Sequence, residues 1–129
     1  MTDTIERNAH AQVRRREANE RVADVYYKFA ARGALDMSIK LIELSCECGR
    51  DTPCGEPVKI SAATYERVRA DATLFILHPD HEASAVEYTI ERGDGFVITR
   101  NVGRAAEIAR AADPRRAENR QQAALVTRV

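Results

Sequence analysis

All three cysteines of the chain lie within nine residues, in the pattern C-x-C-x5-C at Cys46, Cys48 and Cys54. Thiolates are ligands that zinc favours, and a tight turn can deliver several of them to one ion. Gly49 and Gly55 supply the backbone freedom that a chain folding around an ion needs. The cysteine pattern therefore predicts a metal site, and we expect the metal to be Zn²⁺.

A tetrahedral zinc site needs a fourth ligand, and the nearest nitrogen donors downstream are two histidines. Both lie in Leu77-His78-Pro79-Asp80-His81-Glu82, where the proline predicts a turn. His81 is favoured because it follows the proline, whereas His78 directly precedes it and is held extended. The predicted metal ligands are Cys46, Cys48, Cys54 and His81, with His78 as the alternative fourth ligand.

Other interpretations of the cysteines stay open. A disulfide is disfavoured because the number of cysteines is odd and a bridge between Cys46 and Cys48 would close a strained ring. Reduced thiols without a metal are a second alternative, and a cluster that releases zinc on oxidation is a third. Three thiolates with a bound water could also be hydrolytic, with Glu47 or Glu82 as the base. We expect both glutamates to be exposed acids, as most glutamates are.

Length and composition indicate one domain of 129 residues with a modest core, since the chain has no tryptophan, three phenylalanines and four tyrosines. A structural metal would supplement so small an apolar interior. No apolar run is long enough to span a bilayer, and the polar start Met1-Thr2-Asp3-Thr4 has no apolar signal region. We therefore expect a cytoplasmic protein without membrane contact, in a compartment that keeps thiols reduced.

The net charge of zero conceals a segregation of charge along the chain. Residues 1–35 carry seven basic and five acidic groups, residues 36–94 six and twelve, and residues 95–129 seven and three. The basic ends offer candidate contacts to nucleic acid at Arg14, Arg15, Arg16, Arg100, Arg104, Arg110, Arg115 and Arg116. The acidic centre makes nucleic acid the weaker of the predicted partners. We expect the triple arginine to be a solvated helix face, because three residues are too few to mark a binding patch.

Residues 4–32 contain neither proline nor glycine and predict one long helix that ends at Gly33. The clearest apolar spacing lies in the second half of this helix, at Val22, Val25, Tyr26 and Phe29. We therefore expect the second half to pack on the domain. The first half would then project or pair with a protein partner or a second copy of the chain.

The remaining elements follow from apolar spacing and turn residues. A spacing of two from Met37 to Cys46, with Ile39 and Leu41 on one face, predicts a strand buried on both faces. Residues 56–60 predict a second strand that completes a zinc hairpin, and Ser61 is a good N-cap for a helix over residues 62–70. Residues 73–77 predict a central strand or a buried extended segment, and Asp94-Gly95 between two alternating runs predicts a hairpin. A helix from Arg104 to Ala112 follows.

Four motifs occur in a fixed order: Cys46-Glu47-Cys48-Gly49 with Cys54, Tyr65-Glu66-Arg67-Val68-Arg69-Ala70-Asp71, His81-Glu82, and Val86-Glu87 to Glu91-Arg92-Gly93-Asp94-Gly95-Phe96. This string resembles a family of small actinobacterial proteins of unknown function. Its members carry C-E-C-G…C, E-Y-E-x-V-R-A-D, P-G-H-E and E-R-x-D-G-Y in that order. The resemblance covers about residues 38–99.

The resemblance implies that Cys46, Cys48, Cys54 and His81 match the family's cysteine and histidine positions, and it implies no activity. The chain has His78 where the family usually has an apolar residue, and Asp80 where the family has glycine. The fourth ligand therefore stays open between the two histidines.

These patterns predict an α+β fold with a long N-terminal helix, a small, mainly antiparallel, zinc-stabilised sheet with one short helix, and a C-terminal helix. The predicted parts are the N-terminal helix at 1–35, a zinc-binding domain at 36–113 and a loose tail at 114–129.

The predicted function is that of a small zinc-stabilised regulatory or adaptor protein, without catalysis, that acts through protein–protein contacts of its N-terminal helix. Zinc bound by three thiolates and an imidazole has no open position for water, and the chain has no G-x-S-x-G, P-loop or dinucleotide glycine pattern. The alternatives are a thiol/zinc redox sensor and a nucleic-acid-binding protein that uses its basic ends.

Overall fold

The computed structural model describes residues 2–33, 35–36, 40–50 and 54–116. The elements in these ranges are α1 (Thr2–Ala31), β1 (Leu41–Ser45), β2 (Pro57–Ser61), α2 (Ala62–Arg69), β3 (Leu74–Leu77), β4 (Glu87–Arg92), β5 (Val97–Asn101) and α3 (Gly103–Ala111). This is the α+β arrangement that the sequence predicts. Most of the predicted tail lies outside the described residues.

The strands form two antiparallel sheets. β1 and β2 pair as a hairpin, and β3, β5 and β4 form a second sheet in that order. β5 occupies the centre of this sheet and β3 lies at an edge, so residues 73–77 are not a central strand but match the predicted alternative of a buried extended segment. β3 is nevertheless buried along its whole length, since Glu47 covers its outer edge: Glu47 N–H donates to Ile76 O at 2.9 Å, and Ile76 N–H donates to Glu47 Oε1 at 3.0 Å.

Local sequence signals account for the element boundaries. Ser61 caps α2, as predicted, with its hydroxyl oxygen accepting from Thr64 N–H at 3.1 Å. Gly33 ends α1 with a φ of +78°, a left-handed conformation that glycine adopts at little cost. In the turn between β4 and β5, Gly95 has a φ of +80°, which confirms the predicted hairpin.

β1 is buried on one face only, so the prediction of a strand buried on both faces is wrong. Ile42 and Leu44 are buried, whereas Leu41 is 55% exposed. In the part of the chain that the structure describes, α1 and the core lie on one side of the hairpin and no element covers Leu41 on the other, so its side chains alternate between core and solvent. Met37 and Ile39, which the prediction placed beside Leu41, lie outside the described residues.

The first half of α1 docks on the domain, so the prediction that this half projects or pairs with another chain is wrong. The buried residues of the helix are Ala9, Ala11, Gln12, Val13 and Arg16 in the first half and Asn19 and Ala23 in the second. The residues expected to pack are exposed instead: Val22 by 40%, Val25 by 52% and Phe29 by 47%. Tyr26 does pack against the core, as predicted. The buried face of α1 consists mainly of small and polar side chains, so the apolar spacing of the sequence did not indicate it.

Arg16 is fully buried, so the expectation that the triple arginine is a solvated face is wrong at this residue. Its guanidinium donates to Ala72 O at 2.6 Å and to Ala109 O at 2.9 Å. These bonds join α1 to the segment after α2 and to the last turn of α3. The guanidinium also lies over the ring of Phe75, with 4.8 Å to the ring centroid. Arg14 is exposed, as expected.

A network of ion pairs joins the ends of the helices. Arg69 donates to Glu20 on α1 and to Asp113 after α3, both at 2.6 Å. Arg115 contacts Glu20 and Glu66 in the same network. The network fixes α1 against α2 and the segment that follows α3.

Among the described residues, no helix has both the length and the apolarity that a membrane crossing requires.

Candidate metal centre

The loop between β1 and β2 carries the three cysteines. Cys46 directly follows the last residue of β1, and its N–H donates to Glu56 O at 3.1 Å, which closes the base of the loop. Cys46 and Cys48 are buried, and Cys54 is half-buried. The hairpin therefore presents three thiols on the side that faces β3.

His81 is brought to this loop by a tight turn after β3. His81 N–H donates to His78 O at 3.3 Å across the turn, Pro79 occupies its second position, and Asp80 in the third position has a φ of +71°. Proline second and a positive φ third is the arrangement of a type II turn. Asp80 thus adopts a left-handed conformation, which favours glycine.

The structure brings together Cys46, Cys48, Cys54 and His81, whose ligand atoms all lie within 4.8 Å of one another. Cys46 Sγ and His81 Nδ1 are 3.4 Å apart. A tetrahedral zinc ion with ordinary bond lengths separates a sulfur and a nitrogen ligand by about 3.6 Å, and two sulfurs by about 3.8 Å. The four side chains therefore fit a tetrahedral ion after shifts of an ångström or less.

The His78 side chain is not part of this group. Its Nδ1 lies 3.2 Å from Pro79 O, its Nε2 lies 3.9 Å from Glu56, and its ring centroid is 5.0 Å from that of His81. Its backbone N–H instead donates to Cys46 Sγ at 3.1 Å. A donor of this kind orients a thiolate ligand and disperses its charge, which is how outer groups support metal ligands.

The thiols differ strongly in their affinity for protons. The hydrogen bond between Cys46 and Cys48 is the largest influence on both: it lowers the pKa of Cys48 to about 4 and, together with burial, raises the pKa of Cys46. The Arg50 N–H, Cys54 and the charge of Arg15 further lower the pKa of Cys48. The metal-free pair thus shares one proton at neutral pH, and a metal that takes both thiolates releases that proton.

α1 contacts the cysteine loop and the end of β1 at three positions. Arg15 donates a hydrogen bond to Cys48 O, and Asn19 donates to Ser45 O at 2.8 Å. Gly49 lies so close to α1 that a Cβ at this position would be 2.8 Å from Asn8 O. The absence of a side chain at residue 49 therefore allows helix and loop to touch.

Glu47 is 1% exposed, so the expectation of an exposed acid is wrong. Its Oε2 accepts from Asn19 Nδ2 at 2.8 Å, and its Oε1 accepts from Ile76 N–H. Both oxygens are used to join α1 to β3, which leaves no geometry for a catalytic base. Glu82 is also not fully exposed: its side chain is 20% exposed and lies 3.8 Å from Arg92. Polar burial of this kind depends on residues distant in sequence, so the local pattern gave no signal for it.

The chemistry of this donor set is that of a closed site. Three sulfurs and one nitrogen would fill the four positions of a tetrahedral ion and would leave none for a water or a substrate. No family model, curated protein or solved structure matches this chain. The interpretation of the site therefore depends on its own geometry.

Proposed function

We propose that this chain is a small, non-catalytic regulatory or adaptor protein whose fold is stabilised by Zn²⁺ bound to Cys46, Cys48, Cys54 and His81. The observation that carries the proposal is the approach of the four ligand atoms to within 4.8 Å of one another. Zinc is the favoured metal because soft thiolates with one imidazole in tetrahedral geometry suit it better than the hard cations.

The surroundings of the site match the charge of such a centre. Zn²⁺ with three thiolates and a neutral imidazole carries one net negative charge. Arg15 lies against the loop and supplies a positive charge. The His78 N–H supplies a hydrogen bond to one of the sulfurs. Zinc would then hold the β1–β2 loop, the turn after β3 and α1 in one arrangement.

The adaptor function is proposed from the outward face of α1. Val22, Val25 and Phe29 follow an i, i+3, i+7 spacing, so they lie along one side of the helix, and all three are exposed. Exposed apolar side chains grouped on one face are typical of a contact surface for another protein. Our proposal therefore keeps the helix as the contact element and moves the contact to its second half.

A thiol/zinc redox sensor is the second candidate, and one observation favours it. Cys54 is half-buried, and its thiol takes part in the hydrogen bonding that lowers the pKa of Cys48. Hydrogen peroxide would take two electrons from the thiolates of Cys48 and Cys54; with two protons from solvent, the products are a disulfide and two waters, and the zinc is released. Release of zinc by stoichiometric peroxide, reversed by a thiol reductant, would favour this candidate over a permanent structural site.

The nucleic-acid alternative has less support from the described arginines. Arg16 is buried, and Arg100, Arg104 and Arg115 are ion-paired with Asp71, Glu6 and Glu66. Arg110, Arg115 and Arg116 line a groove of about 760 Å³ that Glu66, Glu107 and Asp113 also line. These cations are therefore interleaved with carboxylates rather than gathered into a basic surface.

Elemental analysis of untagged protein, purified without added metal, tests the zinc site. We expect one zinc per chain in the wild type and in His78→Ala, and loss of zinc in His81→Ala. The two histidines lie three residues apart in one turn, so His78→Ala is a matched control for a change in the turn itself. A wild type that contains no metal would refute the proposal. Loss of zinc in His78→Ala alone would show that His78, and not His81, is the fourth ligand.

A further inference from the structure

The outward face of α1 carries unpaired positive charge beside its apolar residues. Arg14, Arg21 and Lys28 recur every seven residues, which places them on one line along the helix, and Arg32 continues it. All four are exposed. Among the residues that the structure describes, none of these four side chains makes an ion pair or hydrogen bond. We call these four residues the basic line.

The basic line borders the apolar stripe formed by Val22, Val25 and Phe29. Arg21 and Lys28 each immediately precede a stripe residue, as g positions precede a positions in a heptad. On the other flank of the stripe the helix turns toward the domain, where Tyr26 is half-buried and its hydroxyl accepts from Glu43 N–H at 3.3 Å. A helix that covers the stripe therefore lies beside the basic line.

From this arrangement we propose that the outward face of α1 binds an amphipathic helix whose apolar residues cover the stripe and whose acidic residues pair with the basic line. The inference depends on the proposed adaptor function and specifies the partner's chemistry. Glu17 and Asp24 lie beyond the basic line and offset part of its charge, which leaves four cations against two carboxylates on this face. An acidic partner gains from this surplus, and a basic partner is repelled by it.

A second copy of the chain is a poor occupant. In an antiparallel pair of α1 helices, g positions face g positions, so Arg21 and Lys28 would meet cations of the other copy. In a parallel pair, Arg32 would occupy a d position against its own copy. Charge complementarity therefore favours a different chain. An anionic membrane is also disfavoured, because the stripe has only three large apolar residues and two carboxylates share the face.

The test uses zinc-loaded full-length protein and two synthetic 28-residue peptides. Both peptides have leucine at a and d positions and alanine or glutamine elsewhere, and they differ only in glutamate or lysine at e and g. Fluorescence anisotropy of the labelled peptides measures binding at low and high salt. We expect the glutamate peptide to bind at least about tenfold more tightly than the lysine peptide, with the difference shrinking as salt screens the charges.

Two variants assign the binding to this face. Arg21→Glu with Lys28→Glu should reverse the preference between the peptides, and Val25→Asp should abolish binding of both. Zinc content and far-ultraviolet circular dichroism equal to those of the wild type would show that each variant is folded. Arg110→Glu, which changes an exposed arginine on α3, is the control and should leave the preference unchanged.

Equal binding of the two peptides, or no saturable binding, would overturn the inference. Tighter binding to anionic vesicles or duplex DNA than to the glutamate peptide would also overturn it, as would a wild-type dimer in sedimentation that Val25→Asp dissociates. If Val25→Asp weakens the binding of both peptides and the charge reversals leave it unchanged, the result supports the adaptor function and refutes the preference for an acidic partner. A wild type without zinc would remove the proposed metal site and leave the peptide result to stand alone.

Discussion

Asn19 pairs with the backbone of Ser45 as a neighbouring strand would. Its side chain donates to Ser45 O at 2.8 Å and accepts from Ser45 N–H at 2.9 Å. The same amide donates to Glu47 at 2.8 Å. One helical side chain thus covers the outer edge of β1 at the residue before the first cysteine.

Asn19→Ala should therefore destabilise the protein and weaken its metal affinity. The change removes one partner from the buried carboxylate of Glu47 and two part-buried hydrogen bonds from the backbone of Ser45, and we expect a loss of about 2–4 kcal/mol in the free energy of unfolding. Urea unfolding measures the loss, and competition with a chromogenic chelator measures zinc affinity. Glu17→Ala, two residues away on the exposed side of α1, is the control and should change stability by less than about 0.5 kcal/mol. Equal effects of the two changes on stability would contradict a stabilising role of the Asn19 hydrogen bonds.

The three consecutive arginines of α1 should differ in their contributions. Arg14→Met should be nearly neutral, because Arg14 is exposed and unpaired. Arg16→Met should cost about 3–5 kcal/mol, because it leaves Ala72 O and Ala109 O unpaired in a buried place. Arg15→Met should fall between them and lower zinc affinity, because Arg15 bonds to Cys48 O. Urea unfolding of the three variants checks the order, and a large loss in Arg14→Met would refute it.

Gly49→Ala should force α1 away from the cysteine loop. The added Cβ would lie 2.8 Å from Asn8 O and 2.9 Å from Asn8 Cβ, and the backbone oxygen cannot rotate away. We expect a loss of about 1–3 kcal/mol from such overpacking. Hydrogen exchange should show faster exchange of the amides of α1.

Gly55→Ala is the contrasting variant. A Cβ there meets nothing within 4 Å, but the φ of +73° makes any side chain strained, at a cost of about 1–2 kcal/mol. Exchange in α1 should then stay as in the wild type. Faster exchange of α1 in both variants would show that the effect comes from the loop and not from the contact.

Zinc should raise stability in proportion to the logarithm of its free concentration. Above the dissociation constant, each tenfold increase in free Zn²⁺ should add about 1.4 kcal/mol to the free energy of unfolding. Urea unfolding in zinc buffers measures the slope. Cys54→Ser should show a smaller gain at every zinc concentration, and His78→Ala should follow the wild type. A wild type whose stability is independent of zinc would exclude a structural metal.

Stability should also depend on acid through Asp113. Burial raises the pKa of this carboxyl, but the Arg115 N–H and Arg69 outweigh burial and hold the pKa below its ordinary value. With a depressed folded-state pKa, the interaction is fully present above the unfolded pKa of about 3.9 and is lost as pH falls through the folded value. Asp113→Asn should therefore cost about 2 kcal/mol at pH 7.

The difference between wild type and Asp113→Asn should stay constant from pH 8 to pH 5 and shrink only below pH 4. Urea unfolding at each pH gives this difference. Loss of zinc in acid affects both proteins alike, because Asp113 Oδ1 accepts hydrogen bonds from Arg69 and from the Arg115 N–H, and neither residue is a predicted ligand. A difference that already changes between pH 7 and pH 6 would point to a histidine instead.

The sequence predicts the elements of this fold because their signals are local. The absence of glycine and proline defines α1, Ser61 marks the start of α2, and Asp94-Gly95 marks the hairpin of β4 and β5. The gathering of three cysteines within one loop also needs only local spacing. These features depend on backbone preferences of a few neighbouring residues, so a single sequence is enough to find them.

The packing of α1 was not predictable from its apolar spacing. The apolar residues Val22, Val25 and Phe29 are exposed, while Arg16 and Asn19 are buried against the domain. A buried arginine or asparagine is stable only where partners satisfy it, and here these are carbonyls about 25 to 95 residues away. The burial of Glu47 has the same origin, since its partners lie on α1 and β3. Such contacts leave no periodic trace in the sequence.

The docking of α1 against α3 has a consequence for synthesis of the protein. The partners of α1 come late in the chain: Arg16 bonds to Ala109, and Glu6 pairs with Arg104. At ordinary rates of translation, roughly 5–20 s pass between the synthesis of the first helix and that of the last. During this interval the Ala109 carbonyl that Arg16 will bind does not yet exist, whereas the cysteine loop, the Ala72 carbonyl and the histidine turn are made sooner. Metal capture can therefore precede closure of the helix pair in the order of folding on the ribosome.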